Sequence, residues 1–493
     1  MKPLEIVVIV VNALALVGLA VRPLRDLRWT AVLTALAILA VVAQVLAEGP
    51  RWQMFPSYGL AAALLVVWLV VLLVYGRATA PRSVVAAGAT LGALLCVVSV
   101  VLPIVLPVFR FPGPTGPYGI GTVTYHWVDA NRQELFTPER NGHRELMAQV
   151  WYPARPAATA RRTPYVRDAG ALSAALSRIA HLPPFLLSHF TYVTTNAVAD
   201  ATLADGATRY PVLVFVSGLG GFRASNTFQV EELVSRGYVV VGLDQPGGSA
   251  LVRFPDGREI TVPPRGQMKR LIDQSVTPQS DAPTLNGLAL AEGIIPYFAE
   301  DVGFALDRIA DLNGGDERLA GRLDLGRVGI LGISLGAMVA AEASHADPRI
   351  RATLMMDAAM PRDVVRDGLR QPCLWITRPA SSMRLERQKS GGWAESDITD
   401  TLSTMRAVFD EHAPGGAYYL EAPGMFHVNF TDAPFWSPIT PVLGLTGPVD
   451  GERMWRIVNA YTVAFFDRYL KGSEEPLLDG SGARYPEVSL EKR

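Results

Sequence analysis

The stretch RVGILGISLGAMVAAEA, residues 327–343, reads as a short apolar strand, a tight turn and an alanine-rich helix. Ser334 sits in the turn between Gly332 and Gly336. A serine at such a bend is presented at the edge of a sheet, and glycines flank it because side chains there would collide with the adjoining strand and helix. With 44 glycines in the chain the five-residue pattern is weak by itself. The strand before it and the helix after it carry the reading.

Comparable apolar runs lie on both sides: YPVLVFV (210–216), YVVVGLD (238–244), RATLMMD (351–357), PCLWIT (372–377) and GAYYLE (416–421). Helical stretches separate them, and two alternating strands, GTVTYHWVD (121–129) and ELMAQVWYP (145–153), precede them. Short β-branched runs alternating with helices predict a mostly parallel sheet covered by helices on both faces. No internal repeat is evident.

A serine hydroxyl becomes a useful nucleophile when a histidine takes its proton and a carboxylate holds that histidine. In a fold with a serine at this kind of turn the order along the chain is serine, acid, histidine, which leaves His345, His412 and His427. His345 lies about three turns into the helix that Ser334 begins, pointing away from the sheet edge, and His412 ends a helical stretch, where a cation suits the helix terminus. His427, in LEAPGMFHVNF, follows the last of these strands in a glycine-containing loop and is the predicted base. Asp357 closes the strand RATLMMD on the same edge and is the predicted acid, with Asp397 and Asp410 in reserve. The oxyanion of a tetrahedral intermediate needs two backbone donors. The amide of Leu335 supplies one, and Leu219, in the glycine-rich loop SGLGGFR (217–223), is nominated for the other.

Charge is unevenly spread. Charged residues make up 18% of the chain, and only eleven of them fall in residues 1–110. They punctuate four apolar runs, at 6–21, 29–47, 59–75 and 84–106. About 20 residues of helix cross a bilayer core of roughly 30 Å, so four transmembrane spans are expected, the first of marginal length. Arg22, Arg25 and Arg28 precede the second run and Arg77 and Arg82 the fourth, whereas Glu48 balances Arg51 after the second. The positive-inside rule then puts those two arginine loops in the cytoplasm and everything after Arg110 on the other side. A cleaved signal peptide is the rival for the first run, but no A-x-A site precedes Arg22. With +5 on the first 110 residues, the net charge of −1 leaves −6 on the remainder, no field for gathering nucleic acid. Cys96 and Cys373 are far apart and form neither a disulfide framework nor a metal-spaced cluster, so no cofactor or metal is expected.

TGPYGIG, QVWYPA, YPVLVFVSGLGGFR, GILGISLGAM, LMMDAAM, FHVNFTD and AYTVAFFDRYLKG, spread from about Thr115 to about Gly472, together resemble the platelet-activating factor acetylhydrolase family, secreted and lipid-associated type, of the α/β-hydrolase superfamily. The resemblance implies an α/β-hydrolase fold and a metal-free serine hydrolase releasing short or oxidised acyl groups from ester lipids. It implies Ser334, Asp357 and His427 as the triad and Leu219 and Leu335 as oxyanion amides, and it favours Asp357 over the later aspartates. Two departures stand out. Ser217-Gly218 occupies the place where the family usually has His-Gly, and the four spans are additional.

The expected organisation is a four-span transmembrane domain (1–110), a Pro- and Gly-rich linker (111–120) and a catalytic domain (121–493). It describes a multi-pass cell-membrane protein with an extracytoplasmic esterase whose partners are the lipid bilayer and an ester lipid or small acyl ester. A cutinase or polyester-type esterase and a non-catalytic membrane scaffold retaining the fold are the alternatives. The insertion 381–412 is a candidate lid. The apolar segment 177–193 suits a bilayer surface, an acyl groove or the core.

Overall fold

The computed structural model describes residues 1–20, 27–70, 72–73, 82–137, 142–157, 159–412, 416–480 and 484–493. Arg22, Arg25 and Arg77, on which the expected orientation rests, lie outside the described residues. The chain divides into two compact units, residues 1–109 with 436–439, and residues 110–435 with 440–493.

The first unit is built on four helices, α1 (Pro3–Ala20), α2 (Leu27–Glu48), α3 (Phe55–Val70) and α4 (Arg82–Val105). Three helical stretches, Trp29–Glu48, Trp52–Val70 and Ala86–Val105, are long and apolar enough to cross a membrane, and Pro3–Leu19 is a shorter apolar stretch. Their exposed positions are largely leucine and valine, among them Leu14, Leu39, Val66 and Leu94, while polar groups turn inward. Glu5 and Arg51 form a fully buried ion pair of 2.7 Å, and Arg51 also donates to the Leu106 carbonyl at 2.8 Å. Asn12 donates to the Ser57 carbonyl at 2.9 Å. A helix bundle apolar outside and hydrogen-bonded inside inverts the ordinary soluble pattern.

The second unit is an α/β sandwich. Its strands are β1 (Gly119–Gln133), β2 (His143–Ala154), β3 (Arg162–Pro164), β4 (Thr194–Ala199), β5 (Tyr210–Val216) and β6 (Val239–Asp244), then the small hairpins β7 (Leu251–Arg253) with β8 (Glu259–Thr261) and β9 (Thr284–Leu285) with β10 (Leu288–Ala289), then β11 (Leu323–Ile333), β12 (Ile350–Met356), β13 (Cys373–Thr377), β14 (Ala417–Glu421) and β15 (Ser489–Lys492). Eleven of these form one sheet in the order β15-β14-β13-β12-β11-β5-β6-β2-β1-β4-β3. From β14 to β6 all neighbours are parallel, and β2 and β15 close the two flanks antiparallel. The helices are α5 (Ala169–Ile179), α6 (Thr227–Ser235), α7 (Arg265–Val276), α8 (Ile295–Gly315), α9 (Leu335–Ala346), α10 (Arg362–Asp367), α11 (Ala380–Ser390) and α12 (Glu395–Glu411), followed by a helix over Gly451–Phe466.

The uninterrupted apolar runs have the physical origin the sequence suggests: every residue of β5 is buried, as in a strand covered on both sides. Val212, Val214 and Val216 share one core with Phe298 and Val302 of α8 and Val339 of α9. On the opposite face, an added Cβ at Gly329 would meet both Leu213 and Phe466, and the Tyr418 and Phe465 rings lie 6.3 Å apart. Each buried valine or leucine contributes about 1.5–3 kcal/mol of apolar burial, so the central strands form the stable frame on which the sheet edge is built. The segment expected to be a linker is hydrogen-bonded to α6 at two of its residues. Thr115 N and Gly116 N donate to Glu232 and Ser235 of α6 at 2.8 and 3.0 Å.

Candidate active site

Four predicted positions follow parallel strands at their carboxyl ends, and the fifth, Leu335, opens the helix after Ser334. Ser334 has φ 56°, a left-handed conformation that a non-glycine residue adopts only under constraint. The constraint is visible around it. A Cβ on Gly332 would lie 2.1 Å from the Gly336 carbonyl oxygen, and one on Gly336 would lie 2.0 Å from the Val216 carbonyl oxygen. Both flanking positions therefore require glycine, and the small residues that follow, Ala337, Ala340 and Ala341, let α9 lie close against the sheet. Ser334 N donates to the Met356 carbonyl at 2.9 Å, which fixes the turn to the end of β12.

Asp357 follows β12 and also has positive φ, 49°. Its carboxylate is fully buried, and its Oδ2 receives His427 Nδ1 at 2.6 Å and Arg378 Nε at 2.8 Å, while Oδ1 receives Thr377 Oγ1 at 3.1 Å. Burial works against the charged carboxylate, but the Arg378 guanidinium and the bond from His427 prevail and hold its pKa down to about 2. The structure thus brings Asp357 and His427 into direct contact. Among the described residues no hydrogen bond joins Ser334 to His427; such bonds are often long before substrate binds.

The loop after β5 packs on the serine. A Cβ on Gly218 would stand 3.2 Å from Ser334 Cβ, so the backbone there approaches the turn as closely as glycine permits. Gly220, at φ +71°, donates to Gly248 O at 2.8 Å. The Leu219 N–H donates to no backbone carbonyl among the described residues. Leu335 opens α9, and the first N–H of a helix has no partner within it.

The reserve residues are elsewhere engaged. Asp397 pairs with Lys269 at 3.0 Å, and Asp410 is exposed on α12. His345 sits 3.5 Å from Asp367 on the surface, and His412 contacts the Gln371 carbonyl at 2.9 Å. Among the described residues no three His, Cys, Asp or Glu side chains gather as a metal-holding group.

A cavity of about 1000 Å³ opens at this edge, lined by Leu219, Ser334, Met338, Asp357 and Trp393 and walled by α7 and α12. The insertion 381–412 is the helix pair α11 and α12, and the turn joining them carries Trp393. Its ring stands edge-on to the His427 ring, with centroids 5.0 Å apart. Sequence reasoning missed Trp393, Arg378 and Glu386. It also missed the anchors of the histidine loop: Asn429 Oδ1 accepts from Phe426 N and Gly447 N, each at 2.8 Å. Asp432 accepts from Thr227 N at 2.8 Å and from the Tyr165 hydroxyl at 2.9 Å. These bonds tie the loop to the start of α6, which gives the polar residues of FHVNFTD a structural purpose.

Residues 106–256 match the family model of platelet-activating factor acetylhydrolase, isoform II, a stretch that ends before Ser334. The platelet-activating factor acetylhydrolase of Cavia porcellus is 23% identical over 270 residues, 53% of this chain and 58% of that protein. The Gallus gallus protein of the same name is 21% identical over 401 residues, 76% of this chain and 88% of that one. Against the Cavia porcellus and Canis lupus familiaris acetylhydrolases the chain spans about three fifths of their length. Among solved structures, a ferulic acid esterase from Streptomyces cinnamoneus superposes with TM-score 0.60 at 28% identity, covering 78% of this chain and all of that one. The resemblance to the acetylhydrolases read from the motifs is borne out by these matches, and the mostly parallel sheet is that of an esterase fold.

Proposed function

We propose that this protein is a membrane-anchored serine hydrolase that cleaves carboxylic esters, lipid esters or small acyl esters, through an acyl-serine intermediate. The observation that carries the proposal is the 2.6 Å contact between His427 Nδ1 and a buried, ionised Asp357 at the edge of the sheet where the strained Ser334 opens into the same cavity. Ser334 Oγ attacks the ester carbonyl as its proton passes to His427 Nε2. Asp357 holds the ring in the tautomer that leaves Nε2 free and stabilises the imidazolium. The Leu219 and Leu335 amides receive the oxyanion, a contribution of about 3–4 kcal/mol for a well-placed donor. Collapse expels the alcohol, which takes the proton from His427, and water then releases the acid by the same steps in reverse.

The acetylhydrolase relatives favour an ester lipid as substrate. A second reading, an esterase for small or polymeric acyl esters of the cutinase kind, is favoured by the ferulic acid esterase neighbour. The first 110 residues supply the anchor, with four spans and the hydrolase unit outside the cytoplasm. The full-length protein in detergent is expected to react with a fluorophosphonate and to turn over short-chain nitrophenyl esters, and Ser334→Ala to abolish both. Turnover persisting in Ser334→Ala removes the serine mechanism, and a folded wild type inert towards lipid, aryl and polyester substrates supports a non-catalytic scaffold.

A further inference from the structure

The acid of the site has a neighbour that a Ser-His-Asp arrangement does not require. Arg378, the residue after β13, is completely buried. Its Nε binds the same Asp357 oxygen that receives His427. Its Nη1 pairs with Glu386 of α11, and Glu386 Oε2 in turn accepts the backbone N–H of His427 at 3.2 Å. The flat guanidinium lies 5.0 Å from the Trp393 ring centroid, and Trp393 meets the His427 ring. Histidine, aspartate, arginine and glutamate thus close a ring that returns to the histidine through its own main chain.

From this closed ring we infer that Arg378 and Glu386 are positioning residues for the hydrolytic reaction: a guanidinium that clamps the acid's carboxylate, and a second carboxylate that restores the negative charge the guanidinium cancels. The inference rests on the serine-hydrolase reading above. The buried guanidinium is a fork shared between two carboxylates, Nε serving Asp357 and Nη1 serving Glu386; beside Asp357 alone it leaves the pair neutral and so weakens support for the imidazolium formed when Ser334 gives up its proton. Glu386 brings the cluster back to one net negative charge next to His427. It also ties the position of that histidine to α11, so the insertion is part of the site's architecture. The other charged groups facing the cavity are Arg265, Arg270 and the Lys269–Asp273–Asp397 cluster with Asp400 on α7 and α12, and Asp281 in the loop after α7. They are common to every variant below.

The test is the pH profile of kcat/KM for nitrophenyl acetate, measured on the full-length protein in detergent, with circular dichroism to establish that each variant is folded. Glu386→Gln keeps the acceptor for His427 N–H but removes the charge. The imidazolium is less favoured, and the acid limb is expected to move to lower pH by about one unit with a reduced plateau. Arg378→Met removes the opposing charge, and the limb is expected to move to higher pH. Should Arg378→Met not fold, Arg378→Lys takes its place; it is expected to keep the limb where it is and lower the plateau, because the charge remains and the fork is lost. Opposite displacements, or the Glu386→Gln shift with an unmoved Arg378→Lys limb, support the inference. A folded Glu386→Gln protein whose limb superimposes on the wild type overturns it, as do shifts of the same sign in Glu386→Gln and Arg378→Met. Activity surviving in Ser334→Ala strikes at the serine reading instead and is read separately.

Discussion

Ser334 and Asp357 are both non-glycine residues at positive φ, each holding roughly 1–3 kcal/mol of backbone strain. They stand at the ends of adjacent parallel strands, and the Ser334 N–H bond to Met356 O locks one bend to the other. Strain retained at two such positions is consistent with a site whose geometry takes precedence over stability. The electrostatics of Asp357 lead to a prediction with a definite sign. Its pKa is held down to about 2, below the ordinary range of an aspartate, because the Arg378 charge and the His427 bond overcome burial. A depressed carboxyl stabilises the fold when ionised. That stability is complete above about pH 4, worth on the order of 2 kcal/mol, and is lost as pH falls through about 2. Asp357→Asn is expected to lower kcat about 10³- to 10⁴-fold, because the amide favours the wrong histidine tautomer. It is also expected to flatten the dependence of the thermal midpoint on pH between about 4 and 2. Ester turnover and melting curves over that range check both, and an undiminished acid slope in the variant would show that the stabilising carboxylate lies elsewhere.

The strand–turn–helix element makes its own prediction, since a methyl group is tolerated or rejected according to what it meets. In Gly336→Ala the new Cβ would lie 2.0 Å from the Val216 carbonyl oxygen, so α9 must lift away from β5. A loss of about 1–3 kcal/mol or more is expected from the overpacking, with most of the ester activity lost because the serine and the Leu335 amide move with the helix. Gly303→Ala in the interior of α8 is the contrasting case. The nearest atom to its Cβ is Asp347 Oδ2 at 4.0 Å, and a gain of about 0.5–1 kcal/mol from helix propensity is expected. Thermal unfolding of the pair separates steric from conformational effects; equal destabilisation would contradict the packing described here. The same element shows why part of the site was legible in the sequence. A glycine requirement, a buried strand and the order of Ser334, Asp357 and His427 are local or ordinal properties that chain chemistry imposes directly. Arg378 reads in ITRPASS as a surface charge after a strand, and Glu386 as one polar residue among many in RLERQKS. Their partners are brought in from other elements, Asp357 at the end of β12 and the His427 loop after β14, contacts without local periodicity. Trp393 is hidden for the same reason, since an aromatic residue in a Gly-Gly turn is ordinarily a surface residue.

At the scale of the molecule, hydropathy distinguishes two units that the chain then builds on opposite rules, one apolar outside, the other apolar within. Orientation is the property that neither hydropathy nor packing determines. It rests on the arginines of two short loops and so on a bias of membrane insertion. If those loops are cytoplasmic, the hydrolase unit meets substrate outside the cell. The two native thiols make this accessible to measurement, because Cys373 is buried in β13 and Cys96 lies within α4 on a proposed span. A membrane-impermeant maleimide should therefore find little to label on intact cells expressing the wild type. Glu474→Cys places a thiol at an exposed position of the hydrolase unit, after the helix Gly451–Phe466. Labelling of that variant on intact cells, with no further gain on lysis, is the expected result. Labelling that appears only after the membrane is broken would reverse the topology, place the active serine in the cytoplasm and direct the search for substrate to intracellular esters, while leaving the chemistry of Ser334, Asp357 and His427 as argued.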